Sequence, residues 1–132
     1  MKKRFIAAVA AAALMLSMGA MGVSASTNST ACDGYSCFTW NKSGNNGTVA
    51  LQNTDGSSHY LQVYMVGYSA DGATLNSASD HGVYKNTETC SKSNVDLSKD
   101  KINVSSMKFT GQMYSAQNAH GPLLSSWVKS SG

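Results

Sequence analysis

Residues 59–69 read HYLQVYMVGYS, the longest run of strand-favouring side chains beyond the N-terminal region, and hydrophobic and polar positions alternate along it. Successive strand side chains face opposite ways, so Leu61, Val63, Met65 and Gly67 share one face, and Tyr60, Gln62, Tyr64, Val66 and Tyr68 share the other. Asp55-Gly56 before the run and Asp71-Gly72 after it are turn signals, and they predict a central strand with a neighbour on each side. A second alternating stretch places Met107, Phe109, Gly111 and Met113 on one face and Lys108, Thr110, Gln112 and Tyr114 on the other. Shorter strand-like stretches fall at 38–41, 48–52, 74–77, 102–106 and 123–129, and 83–92 reads either as one bent strand or as two short ones. Residues 26–36 read as a polar lead-in, 79–82 as a loop and 95–101 as a connection. No 3.6-residue apolar period is sustained after residue 25. Roughly seven short strands, spaced by roughly 8–12 residues, predict an all-β domain, a small antiparallel β-sandwich with Trp40 and Trp127 at its core or core edge.

The N-terminal region follows a different pattern. Lys2, Lys3 and Arg4 precede an apolar, Ala- and Met-rich stretch over 5–21, and Val23-Ser24-Ala25 supplies small residues where signal peptidase reads. This is the pattern of a bacterial secretory signal peptide over 1–25, cleaved after Ala25. The apolar run is nearly long enough to be an uncleaved anchor. Gly19, Gly22 and the small-residue end favour cleavage, which would leave no stable membrane anchor on a single extracellular domain of 107 residues, 26–132. No sortase-type sorting signal ends the chain, so release to the medium is expected.

Removing 1–25 also changes the charge. The net +3 of the whole chain comes from the first four residues, and 26–132 carry seven Lys, no Arg and seven acidic residues. A nucleic-acid partner would call for a basic stripe and arginine forks, and the near-neutral domain has neither.

The domain holds three cysteines, Cys32, Cys37 and Cys90. In an exported protein the default is a disulfide, and an odd count leaves one thiol over. A Cys32–Cys37 bond would close a small ring around Asp33-Gly34. A bond to Cys90 closes a longer loop, and in the chain-entropy model the longer loop gains more, about 4 kcal/mol against roughly 2. On that ranking the expected bond is Cys37–Cys90, with Cys32 free or bridging two copies into a dimer. The chain has no Cys-x-x-Cys pair, so no zinc site is expected.

Candidate chemistry is sparse. Asn53-x-Asp55-Gly56-Ser57 resembles the start of a calcium loop, but Tyr64 stands where a bidentate Glu would close it, and Asp-Gly is also a common turn. His59, His81 and His120 have no hydrolase motif around them, and Glu88 is the sole glutamate. A triad of Asp80, His120 and a serine would have to be assembled in space. No catalytic residue, cofactor or metal is therefore expected.

The sharper feature is the tyrosine face of residues 59–69. Tyr60, Tyr64 and Tyr68 recur every four residues, roughly 13 Å apart at strand rise. Exposed tyrosines offer flat area with a polar handle, suited to stacking on sugar rings or to an interface. They are the candidate ligand-binding residues, set against a half-buried sheet face that Val66 in the same row would favour. The layout of signal peptide, about a hundred further residues, short strands and a Trp near each end is similar to that of the small secreted β-sandwich bacteriocins of the lactococcin 972 type. The similarity lies in layout, not in a residue motif, and the cysteines depart from it. The leading expectation is a non-catalytic extracellular binding protein acting at or outside the bacterial cell surface. A secreted antimicrobial polypeptide, which the resemblance implies, is the alternative, and a small hydrolase stands third.

Overall fold

In the computed structural model, which describes residues 28–132, the alternating stretches become eight strands. They are β1 (Ser29–Cys32), β2 (Ser36–Ser43), β3 (Asn46–Asn53), β4 (His59–Tyr68), β5 (Thr74–Tyr84), β6 (Thr89–Asp96), β7 (Ser106–Tyr114) and β8 (Leu123–Ser131). No helix occurs among the described residues, and the signal-peptide reading of 1–25 lies outside them. The strands form two four-stranded antiparallel sheets, ordered β1-β2-β3-β6 and β5-β4-β7-β8. The sheets pack as a β-sandwich, and the chain crosses between them at β3→β4, β5→β6 and β6→β7.

The alternation in β4 and β7 sets the core. Leu61, Val63 and Met65 are buried, as are Met107, Phe109 and Met113, and the two strands pair Leu61 with Met113, Val63 with Gly111 and Met65 with Phe109. From the other sheet Phe38, Val49, Leu51 and Cys90 complete one buried cluster, with Leu97 and Val104 closing its end. Large side chains of one sheet sit over glycines of the other. A Cβ added at Gly111 would lie 2.6 Å from the Phe38 ring, and one at Gly47 would lie 2.8 Å from the sulfurs of Met65 and Met107. Phe38 stacks between Trp40 (centroids 5.7 Å apart) and Trp127 (6.0 Å), and the indole Nε1 of Trp127 donates to Ser36 Oγ at 3.0 Å. Both tryptophans pack on the core while remaining half-buried.

Several strands depart from the sequence reading. The polar lead-in contains β1, whose pairing with β2 tertiary context supplies and composition does not. The loop expected at 79–82 is strand: β5 runs on through Asp80, His81 and Gly82 because β4 gives each a register partner. The ambiguous stretch 83–92 is the end of β5 and the start of β6, separated by a turn in which Thr87 has φ +74°. Residues 102–106 form no strand before Ser106. Asp100 and Lys101, both at positive φ, fold the chain into a tight turn between Lys99 and Ile102, and Asn45 holds the segment that follows by accepting from the Val104 amide at 2.8 Å. Of the three Asp-Gly pairs, Asp33-Gly34 and Asp71-Gly72 close hairpins, while Asp55-Gly56 carries the chain from one sheet to the other, so the neighbours of β4 are β5 and β7 and not β3.

The Phe38–Gly111 contact gives a direct stability test. Phe38→Ala is expected to lower unfolding stability by about 3–5 kcal/mol in urea titrations, the range for emptying a buried aromatic site. Gly111→Ala, which favours a strand in isolation, is expected to destabilise through overpacking, and to do so less in a Phe38→Leu background. Equal losses in both backgrounds would show that the two residues do not interlock.

Candidate functional site

The two sheets present different outward faces. On β1-β2-β3-β6 the face turned away from the shared core carries Thr30, Thr39, Ala50, Gln52 and Ser91, aligned by register; Thr39, Ala50 and Gln52 are buried, and Thr30 and Thr39 share a hydroxyl hydrogen bond at 3.0 Å. On β5-β4-β7-β8 it carries aromatic, amide and hydroxyl groups in successive cross-strand rows. Tyr114 and Tyr60 sit beside Val83. Next come Gln112, Gln62 and His81, then Thr110, Tyr64 and Ser79, then Lys108, Val66 and Ser77. Antiparallel pairing on both sides of β4 fixes these rows, because a slip of one residue would turn every side chain to the opposite face.

Within the rows, the Tyr60 ring stacks on His81 with centroids 5.9 Å apart and meets Tyr114 edge-on at 5.8 Å. Gln62 Nε2 donates to Gln112 Oε1, which also accepts from the Tyr114 hydroxyl at 3.3 Å. The amide pair thus keeps Gln62 Oε1 and Gln112 Nε2 facing outward without a protein partner. Between the Gln112–Gln62–His81 row and the Thr110–Tyr64–Ser79 row lies a groove of about 330 Å³, which Val63 and Asp80 also line. Val63 belongs to the core and Asp80 is its register partner, so alternation turns both side chains inward and leaves main chain to floor the groove. Tyr64, 43% exposed, forms one wall.

The three tyrosines expected at a binding face do share one outward face, but the groove divides them. Tyr64 lines it, Tyr60 stands behind His81 at one end, and Tyr68 lies past the irregularity between Val66 and Tyr68, away from the lining. Val66 faces outward yet is 3% exposed, so this part of the face is closed. Gln62, Thr110 and Gln112 are not candidate site residues in the sequence reading, and His81 enters it only as a hydrolase candidate. The alternation already put Gln62 with the tyrosines and Thr110 and Gln112 on one side of their own strand. What it lacked was the pairing of β4 with β7 and of β4 with β5.

The cysteines pair differently from expectation: the disulfide is Cys32–Cys37, and Cys90 is a buried free thiol. Cys32 and Cys37 are register partners across the β1–β2 hairpin, with Cα atoms 4.1 Å apart. Asp33 Oδ1 tightens that turn by accepting from the amides of Tyr35 (2.9 Å) and Ser36 (3.1 Å), and Gly34 takes φ +98°. Cys90 pairs with Leu51, which pairs with Phe38, so it faces the core. Cys37, one residue from Phe38, faces the other way and lies two strands from β6, roughly 10 Å away at ordinary strand spacing. That is beyond the reach of a disulfide. The expected Cys37–Cys90 bond is excluded by face and distance, and Cys32 is already engaged within its own chain, so it has no free sulfur for a dimer.

Several titratable groups outside the groove have structural partners. Cys90 Sγ lies 3.9 Å from both Leu61 O and Asp80 Oδ2, and the Tyr84 hydroxyl donates to Asp80 Oδ2 at 3.2 Å. Burial pushes the Cys90 thiol up to about 12 and drives the Tyr84 phenol still higher. Buried His59 spans Asp55 Oδ2 (2.7 Å) and Ser115 O (3.0 Å), tying the β3–β4 link to the end of β7. In the calcium-like stretch, Asn53 donates to Ser57 O and Tyr84 O and accepts from the Asp55 amide, which makes it an internal turn. His120 sits in the exposed loop after β7, and Asp80 is engaged by Tyr84 and Cys90. Among the described residues no three His, Cys, Asp or Glu side chains gather as a metal site, and no helix is long and apolar enough to cross a membrane.

Compared with known proteins, the chain matches no family model and no curated sequence.

The geometry of Cys90 sets its reactivity. With neither access nor thiolate, it is expected to resist iodoacetamide near pH 8 in the native protein and to take up one alkyl group after denaturation without reduction, as read by intact mass. Rapid labelling of the native protein would contradict the buried, protonated thiol.

Proposed function

We propose that this is an exported bacterial protein that acts without catalysis, recognising a ligand at or outside the cell surface through the outward face of β5-β4-β7-β8. The observation that carries this reading is the groove bounded by the exposed Tyr64 ring and the Gln62–Gln112 amide pair, beside the Tyr60–His81–Tyr114 aromatic cluster. A concave site with flat apolar area and a few convergent polar groups is the usual form of a binding site. Export rests on the signal-peptide pattern of residues 1–25, and the Cys32–Cys37 disulfide fits an oxidising compartment. The near-neutral charge of 26–132 favours a ligand recognised by shape and hydrogen bonding over one held by bulk electrostatics.

The test is retention on cells. The purified, oxidised protein, incubated with intact bacteria, is expected to sediment with them in a saturable way. Tyr64→Ala is expected to weaken retention by about two- to tenfold while leaving the fold intact by circular dichroism, as loss of one aromatic contact implies. Unchanged retention of a folded Tyr64→Ala protein would remove the face from the reading, and absence of retention on every species tried would remove the reading itself. Growth curves of the same cells separate recognition from killing.

A further inference from the structure

We infer that the ligand of this groove is a neutral oligosaccharide lying along β4, an inference that rests on the binding reading above. The charge of the lining narrows the choice first. No Lys or Arg lines the groove, and Lys108 stands one row beyond it. A phosphate, carboxylate or sulfate ligand would enter with no fixed cation to meet it. Asp80 turns inward to Tyr84 and Cys90, which leaves no carboxylate pair for a cation either.

The polar lining excludes a purely apolar ligand. Gln62 Oε1, Gln112 Nε2 and the hydroxyls of Ser79 and Thr110 would lose water without gaining partners under a lipid tail. A peptide added as an extra strand is excluded by position, because β4 is already hydrogen-bonded on both sides and the groove lies on the face of the sheet, not at its edge.

A pyranose answers both features at once. It has a flat C–H face for the exposed Tyr64 ring and a rim of hydroxyls that both donate and accept. The free oxygen of Gln62 and the free amide nitrogen of Gln112 offer an acceptor and a donor side by side, which suits neighbouring hydroxyls of one sugar. Length follows if the ligand runs on past the groove: Tyr60 lies beyond its lining, behind His81, and is roughly 13 Å from Tyr64 along the strand. One sugar ring cannot touch both, so the site suits a chain of several residues.

The experiment is an amide-resolved NMR titration of the oxidised protein with cellohexaose, maltohexaose and chitohexaose, and separately with polygalacturonate as an anionic chain. At least one neutral oligosaccharide is expected to produce saturable shifts centred on Gln62, Tyr64, His81 and Gln112. Tyr64→Ala and Gln112→Ala are each expected to weaken it about tenfold, while Ile102→Ala, on the exposed connection before β7, leaves it unchanged. Saturable shifts elsewhere on the molecule, or binding of polygalacturonate alone, would overturn the inference. Silence toward every neutral oligosaccharide from a protein that cells still retain through Tyr64 would also overturn it, leaving the binding face standing. Loss of cell retention as well would bring down both.

Discussion

The packing of Phe38 against Gly111 is the contact on which the sandwich depends. Facing sheets must exclude water without voids, and here they do so by setting the largest side chains of one sheet over positions of the other that lack a Cβ. Phe38 meets Gly111, Met65 and Met107 meet Gly47, and Val104 and Leu97 close over Gly67. Trp40 and Trp127 flank Phe38 and extend the contact to the rim, where Lys129 Nζ lies 5.1 Å from the centre of the Trp40 ring. Each of these fits is local and directional, so together they fix which faces of β2, β3, β4, β7 and β8 turn inward.

That constraint is what creates the outward face. Once Leu61, Val63 and Met65 are committed to the core, Tyr60, Gln62 and Tyr64 have no alternative but the exterior, and β5 and β7 on either side hold them in register. The groove therefore sits on the central strands of a sheet, not on a loop, and its geometry exists before any ligand arrives. Preorganisation of this kind reduces the entropy lost on binding. The disulfide lies in the opposite sheet at the β1–β2 hairpin, where it braces an edge and takes no part in the groove.

Much of this was legible in the sequence, and the rest was not for identifiable reasons. The alternation of β4 and β7 gave the inward and outward sets correctly, because burial on one side of a sheet writes itself into a period of two. It could not give strand order, so Gln112 and His81 were not seen to lie beside Gln62. β1 escaped notice because STAC has no apolar rhythm of its own and is held by its partner. β5 ran longer than expected because Asp80, His81 and Gly82, weak strand formers, are carried by pairing with β4. The cysteine assignment failed on a different point. Loop entropy ranks the longer bridge higher, but burial of Phe38 in the core turns its neighbour Cys37 away from the interior where Cys90 lies, and only the structure shows that.

We propose that β4 divides its labour by parity, with one set of side chains holding the fold and the other meeting the ligand. Alanine substitution at each position from Tyr60 to Met65, with urea stability and cell retention read on the same preparations, tests it most directly. Two alternating profiles out of step are expected: Leu61, Val63 and Met65 lose stability by about 2–5 kcal/mol, with smaller losses at Val63, while Tyr60, Gln62 and Tyr64 lose retention with stability nearly unchanged. Profiles that rise and fall together, or retention lost only where stability is lost, would contradict it.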